Sequence, residues 1–186
     1  AISDDSLFDQ TYNFLQRRGE GEEDSRSKSL ERLIAAQVAF KASIIAGDER
    51  EDVSRTDASS RRVLNFGHTT AHALEAVTNY RRFRHGEAVG YGMLVAGEIS
   101  ERLGLLDRSE LELLRDAVRL CGRLPRADDL DEGRILSSLA YDKKSVGGRL
   151  KWVLLERIGR ARIVDGGEIK QSVLRASLRA GLRGVS

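Results

Sequence analysis

The sequence predicts a mainly α domain that carries one small β-hairpin. Three observations lead there. Apolar residues recur at the 3.6-residue helical period through most of the chain. Only Leu150–Leu155 and Ala161–Val164, separated by Gly159, read as strands, and they are placed to pair as a hairpin. The alternating βα pattern of a complete nucleotide-binding sheet is absent. At 186 residues the chain is of single-domain size, able to bury about 70% of its unfolded surface.

Leu7, Phe8, Tyr12 and Leu15 fall at helical spacing behind the cap candidates Ser3, Asp4 and Asp5, which gives a first helix. Arg17 to Lys28 reads as a polar, charge-rich connector. Leu30, Leu33, Ile34, Val38, Ile44 and Ile45 then mark a long amphipathic helix. Ala35, Ala36, Ala39 and Ala42 allow it to pack closely, and Gly47 ends it. Asp48 to Ser60 reads as an unusually long polar loop. Helices follow from about Gly67 to Val77 and from about Gly86 to Leu103, the second closed by Gly104. Asp107-Arg-Ser-Glu110 and Asp129-Leu-Asp-Glu132 match the capping-box pattern and predict helix starts. Glu168 to about Leu182 is the last amphipathic helix. Gly90, Gly92 and Gly97 have the wrong spacing for a dinucleotide fingerprint and lie within a helix, so they predict close helix packing instead.

Composition narrows the function. Lys and Arg number 31 against 29 Asp and Glu, a balance of +2, which excludes a strongly cationic nucleic-acid binder by bulk charge. The single cysteine, Cys121, cannot form an internal disulfide and sits in an apolar-spaced run, so a buried thiol is expected. No apolar stretch reaches the roughly 18 residues of a membrane span. The first ten residues carry Asp4, Asp5 and Asp9 and no basic start, unlike a secretory leader. A cytoplasmic location with no membrane partner is the expectation. The Arg175, Arg179 and Arg183 series reads as a solvated helix face.

All three histidines fall in one short stretch, His68, His72 and His85. His68 and His72 are four apart and share a helix face, and the small residues around them leave room for a ligand or a second backbone. Imidazoles suit Zn²⁺, and a catalytic site keeps three protein ligands and one open position. Glu75 and Glu87 are the nearest carboxylates, and nothing in the sequence turns either inward. Lys41 shares a helical stripe with Ile34, Gln37 and Ile44. There it either snorkels or lines a pocket for an anion. Asp142-Lys143-Lys144 reads as a loop able to present ammonium groups, or as a solvated turn.

Leu64-Asn-Phe-Gly-His-Thr-Thr-Ala-His-Ala-Leu-Glu75 followed by His85-Gly-Glu-Ala-Val-Gly-Tyr-Gly-Met93 resembles the 3-dehydroquinate synthase family. Lys41, Asp48-Glu-Arg-Glu51, Asp142-Lys-Lys144 and Val153 to Gly159 follow in the family's order. The resemblance covers essentially the whole chain but only the family's C-terminal, mainly helical domain. It implies the C-terminal half of a two-domain fold whose N-terminal α/β nucleotide-binding domain lies outside residues 1–186.

The resemblance further implies an NAD- and metal-dependent carbon–oxygen lyase, with Zn or Co as the ion. The reaction would convert 3-deoxy-D-arabino-heptulosonate 7-phosphate to 3-dehydroquinate and phosphate, in the shikimate route to chorismate and the aromatic amino acids. His68 and His85 would be metal ligands, and His72 would assist proton transfer near the phosphate. Lys41 and Glu51 would belong to the catalytic polar network. Arg61, Asn65 and Lys143 or Lys144 would bind the substrate. Arg55 competes with Arg61, because it keeps the family's spacing from Glu51 while Arg61 keeps the spacing to Asn65. Arg61 is preferred.

The family's third ligand, the Glu of a Glu-Val-Ile-Lys motif, would fall just before Ala1. The chain alone is therefore expected to be inactive. Its partners would be the sugar-acid phosphate, the NAD-binding half and, in the complete enzyme, a second copy. Rival readings are a related sugar-phosphate cyclase such as 2-deoxy-scyllo-inosose synthase, a metal-dependent alcohol dehydrogenase, and a non-catalytic helical binding module.

Overall fold

The structure is a computed structural model that describes residues 1–2, 4–17, 23–52, 54–145 and 150–183, with side chains for all of these but 142–145. The elements are α1 (Asp5–Gln16), α2 (Glu23–Gly47), a 3₁₀ turn (Arg61–Asn65), α3 (His68–Val77), α4 (His85–Arg102), α5 (Arg108–Cys121), α6 (Glu132–Ser145), β1 (Lys151–Arg157), β2 (Arg160–Asp165) and α7 (Gln171–Arg183). The mainly helical architecture with a two-stranded antiparallel hairpin is the one expected.

α4 is the central post. It packs against α3, α5, α7 and β1 and buries Leu94, Val95, Ala96 and Ile99 completely or nearly so. Small residues make that possible. A Cβ on Gly92 would lie 1.8 Å from the Gly67 carbonyl oxygen, and one on Gly97 would lie 2.9 Å from Leu111 and Leu114. The glycines of this helix are packing glycines, as their spacing predicts. β1 and β2 pair from Lys151↔Asp165 to Arg157↔Arg160 with an irregularity at Leu155/Arg157. Trp152 to Leu155 are all buried, because the hairpin is covered on both faces. The Leu155 amide donates to Ser100 Oγ on α4 (3.0 Å).

Several boundaries differ from expectation, each for a local reason. α1 starts as predicted, with Asp4 accepting from the Leu7 amide (2.6 Å). α2 starts at Glu23, inside the expected connector, and none of its residues is buried. Leu30, Ile34 and Val38 are 42%, 53% and 62% exposed, so that part of its apolar stripe lies open, while Ile44 near its end packs against the core. The Asp107 capping box does not close, because Glu110 instead accepts from the Ile158 amide at the hairpin turn (2.8 Å). α6 is capped by Asp131, which accepts from Gly133 and Arg134. Asp129 is drawn away to Arg82 in a two-pronged pair (2.9 and 2.7 Å).

α6 also runs through Asp142-Lys143-Lys144, so that segment is a last helical turn and not a loop. α7 starts at Gln171 because Asp165 and Glu168 close a turn ahead of it. Cys121 is exposed. It ends α5 beyond Leu114 and Val118, where the stripe opens onto an apolar groove of about 580 Å³ between α1, α2 and α5. Arg175 and Arg179 both clamp Glu132 on α6 (2.8 and 2.6 Å), so the predicted solvated face is partly an inter-helix tie. No helix among the described residues is long and apolar enough to cross a membrane.

Candidate metal and substrate site

The site is set by the junction of α3 and α4. Gly67 adopts φ +85° ahead of α3, where a Cβ would meet the Met93 amide and Val89 carbonyl of α4 at 2.8 Å. That close approach fixes where α3 begins and makes His68 its first residue. His72 and Glu75 follow at four and seven residues, on the same helical face. The return turn uses left-handed Asn79 (φ 52°) and Tyr80 (φ 56°), with the Tyr80 amide donating to the Glu75 carbonyl (2.8 Å). It delivers His85 as the first residue of α4. Glu87 accepts from the Arg84 amide (2.7 Å) and caps that helix. Thr69 Oγ1 donates to the Lys151 carbonyl (3.2 Å), which fastens α3 to the hairpin beside His68.

The three imidazoles meet. Ring centroids are 5.2 Å apart for His68–His85, 5.8 Å for His68–His72 and 6.3 Å for His72–His85. An ion about 2.0–2.1 Å from an imidazole nitrogen lies roughly 3.2 Å from the ring centre, so two tetrahedral ligands have centroids roughly 5.2 Å apart. Of the three pairs, His68–His85 sits at that spacing. Burial pushes the His68 pKa down, helped by the neighbouring imidazoles and opposed by the Phe66 and Asn65 carbonyls. A neutral ring is the form that ligates. His85 Nδ1 lies 3.0 Å from Glu75 Oε1. Among the described residues no set of three or more His, Cys, Asp or Glu side chains closes into a cage. The donor set therefore suits a borderline divalent ion on an open face, with coordination to be completed from outside that set.

A second cluster lies immediately upstream. The buried Asp48 accepts from the Asp52 and Arg61 amides (both 2.8 Å). These bonds hold its carboxyl below the ordinary aspartate range and shape the loop. Arg61 Nε then lies 4.0 Å from Glu51 Oε2, with Glu51 in a left-handed conformation (φ 51°). The 3₁₀ turn carries the chain from Arg61 to Asn65, three residues before His68. Arg55 is occupied elsewhere, by Asp57 (3.1 and 3.0 Å) and the Gly47 carbonyl (2.8 Å). Lys41 is exposed on α2 and lines the apolar groove with Leu64 and Met93. Lys143 and Lys144 lie in the last turn of α6, and their side chains fall outside the described residues. A cleft of about 330 Å³ opens beside His72, lined by Thr69, Tyr80, Ser138 and Tyr141 among others.

Sequence reasoning missed Glu75. Its carboxylate is turned inward and the residue is only 7% exposed. The 68–72–75 spacing gives only the shared helix face; that this face turns inward at Glu75 depends on the return turn at Asn79 and Tyr80. It also missed the buried Glu98, held between Arg102 and Arg115. That group braces α4 against α5 away from the histidines.

The same fold forms part of two solved synthases. It superposes on 2-epi-5-epi-valiolone synthase of Streptomyces hygroscopicus subsp. jinggangensis 5008, solved with NAD⁺ and Zn²⁺ bound. The TM-score is 0.71 at 22% identity, over 97% of this chain and 48% of that one. A 2-deoxy-scyllo-inosose synthase, complexed with carbaglucose-6-phosphate, NAD⁺ and Co²⁺, gives 0.66 at 22% identity over 83% and 42%.

The chain belongs to the 3-dehydroquinate synthase family, whose C-terminal domain model matches residues 1–145. It is 34% identical over 157 residues to the 3-dehydroquinate synthase of Solibacter usitatus (strain Ellin6076), covering 84% of this chain and 42% of that protein. It is 41% identical over 143 residues to the synthase of Dichelobacter nodosus (strain VCS1703A), covering 74% and 36%. The chain thus spans about two-fifths of the length of these relatives.

Proposed function

We propose that the chain is the metal- and substrate-binding half of a 3-dehydroquinate synthase, a lyase that converts 3-deoxy-D-arabino-heptulosonate 7-phosphate to 3-dehydroquinate and phosphate. The observation that carries this reading is the convergence of His68, three residues after Asn65, with His72 and His85, in a chain of this family. The bound cofactors would supply hydride transfer from NAD and Lewis acidity from Zn²⁺ or Co²⁺.

His68 and His85 hold the ion. His72, on the open side of the cluster and facing the cleft, moves a proton at the phosphate end of the substrate. Arg61 is preferred over Arg55 for the substrate carboxylate. Its neighbour Glu51 lies at the limit of ion-pair distance and its bond to the Glu49 carbonyl is long (3.4 Å), whereas Arg55 is held by short bonds to Asp57 and the Gly47 carbonyl. Asn65 takes a substrate hydroxyl. Lys41 and one of Lys143 and Lys144 add fixed positive charge, which stabilises a multiply anionic substrate. The NAD-binding half, and a second copy in the complete enzyme, are the partners, and the site works in the cytoplasm.

The test is to combine the chain with the NAD-binding half of a close relative and measure metal content and phosphate release. Release from the heptulosonate phosphate, lost in His68→Ala and His85→Ala, is expected. Turnover of only carboxylate-free sugar phosphates would favour the second reading, a cyclase of the inosose or valiolone type, which the superpositions keep open.

A further inference from the structure

We infer that Glu75 is the positioning residue of the histidine cluster: its buried carboxylate accepts the Nδ1–H of His85 and leaves Nε2 as the nitrogen available to an ion. This rests on the metal reading proposed for the same site. The geometry is asymmetric in a useful way. The Glu75 side chain is 9% exposed while that of His85 is 57% exposed, so the carboxylate is the fixed member and the imidazole the one being held. The bond length of 3.0 Å is that of a true hydrogen bond.

An ionised carboxylate only accepts, so the ring nitrogen facing it must carry the proton. The tautomer is thereby set, and a free imidazole, which can protonate either nitrogen, is denied the other choice. A carboxylate behind a ligating histidine also fixes the plane of the ring.

Glu75 is suited to this by its position. It sits seven residues after His68 on one helical face, and its own carbonyl accepts from Tyr80 in the left-handed turn that brings the chain back. The residue that ends the site's helix face thus also anchors the turn that delivers the second ligand. His68 has a weaker counterpart, Nδ1 lying 3.4 Å from the Phe66 carbonyl. Both rings therefore have Nδ1 turned towards protein oxygen, a common arrangement for two ligands that use Nε2. Glu75 itself is no ligand in this scheme, because its nearest oxygen is spent on His85.

Imidazole ¹⁵N spectra of the labelled chain without metal test the orientation. His85 should show a protonated Nδ1 and a bare Nε2. Glu75→Ala should shift it towards the Nε2–H form, while Glu75→Gln, whose amide oxygen still accepts, should preserve the wild-type pattern. Co²⁺ titration of the same proteins, each combined with the NAD-binding half of a close relative, then reads the consequence. Glu75→Ala should weaken binding about 10–100-fold, with Glu75→Gln close to wild type and thermal unfolding confirming that each variant is folded.

A wild-type His85 protonated on Nε2 would overturn the inference, and that measurement needs no variant. Glu75→Gln losing Co²⁺ as completely as His85→Ala, with its tautomer unchanged, would also overturn it by making Glu75 a ligand. Absence of Co²⁺ binding by wild type so combined, with the Nδ1–H tautomer present, would sink the metal reading and leave the orientation standing.

Discussion

α2 and α4 are both long helices with apolar residues at helical spacing, yet they live in opposite surroundings. α4 buries eleven of its residues, from Ala88 to Ser100, and has helices on several sides. α2 buries none. The difference lies in what the small residues do. In α4, glycines let the backbone of the α3 junction come within a carbonyl's reach, and the histidine site is built on that contact. In α2, alanines offer the same opportunity, but among the described residues the elements that pack alongside to any extent are α1 and the 3₁₀ turn. Close-packing residues thus permit a rigid site without creating one; a partner surface is needed as well.

The largest expected effect comes from emptying the rigid region. Leu94→Ala removes a side chain with no exposure at all and should cost roughly 2–5 kcal/mol, read as a lower urea midpoint. Gly92→Ala attacks the same region from the opposite direction. Its methyl has no room beside the Gly67 carbonyl, and forcing α3 from α4 should cost about 1–3 kcal/mol. It should also widen the His68–His85 spacing, so Co²⁺ affinity should fall further than stability alone explains. A Gly92→Ala protein that keeps both would mean that the α3–α4 approach does not set the site.

The upstream loop is intermediate between the two regions, and its weak point is pH. Asp48 has a folded pKa below its ordinary value of 3.8 because the Asp52 and Arg61 amides bond its carboxylate. The sign follows from linkage. A depressed carboxyl contributes stability that is present above the unfolded pKa and is lost as pH falls through the folded one. The stability gap between wild type and Asp48→Asn should therefore be constant near neutrality and close below about pH 4. Urea midpoints at a series of pH values check this. A gap that persists at low pH would remove Asp48 as the loop's organiser.

The same contrast explains what the sequence revealed. Helices α1, α3 and α4 and the hairpin were legible because period, caps and glycines agreed. His68, His72 and His85 were legible as a set because the chain has no others. The 3₁₀ turn was not, since five residues of Arg-Arg-Val-Leu-Asn hold no period. The starts of α6 and α7 were misplaced because Asp129 and Glu168 answer to Arg82 and to the Asp165 turn, partners that local spacing does not show. The inward Glu75 required knowing that the chain turns back at Asn79 and Tyr80. The exposure of α2 could not be read at all: an apolar stripe states what a helix can bury, and only the tertiary structure states whether it does.

Val38→Lys is the smallest expected effect and the sharpest check of that contrast. Val38 is 62% exposed, and lysine is a slightly better helix former than a β-branched residue. With little packing to lose, the change should fall within about 0.5 kcal/mol of wild type in either direction. Circular dichroism should show the helix retained. A loss comparable to that of Leu94→Ala would mean that the α2 stripe is covered in solution. If the loss also grew with protein concentration, the cover would be a second copy. A null result at every concentration would leave α2 as a helix held by its own propensity and by α1. Lys41, one turn further along, would then stand on the least constrained part of the candidate site.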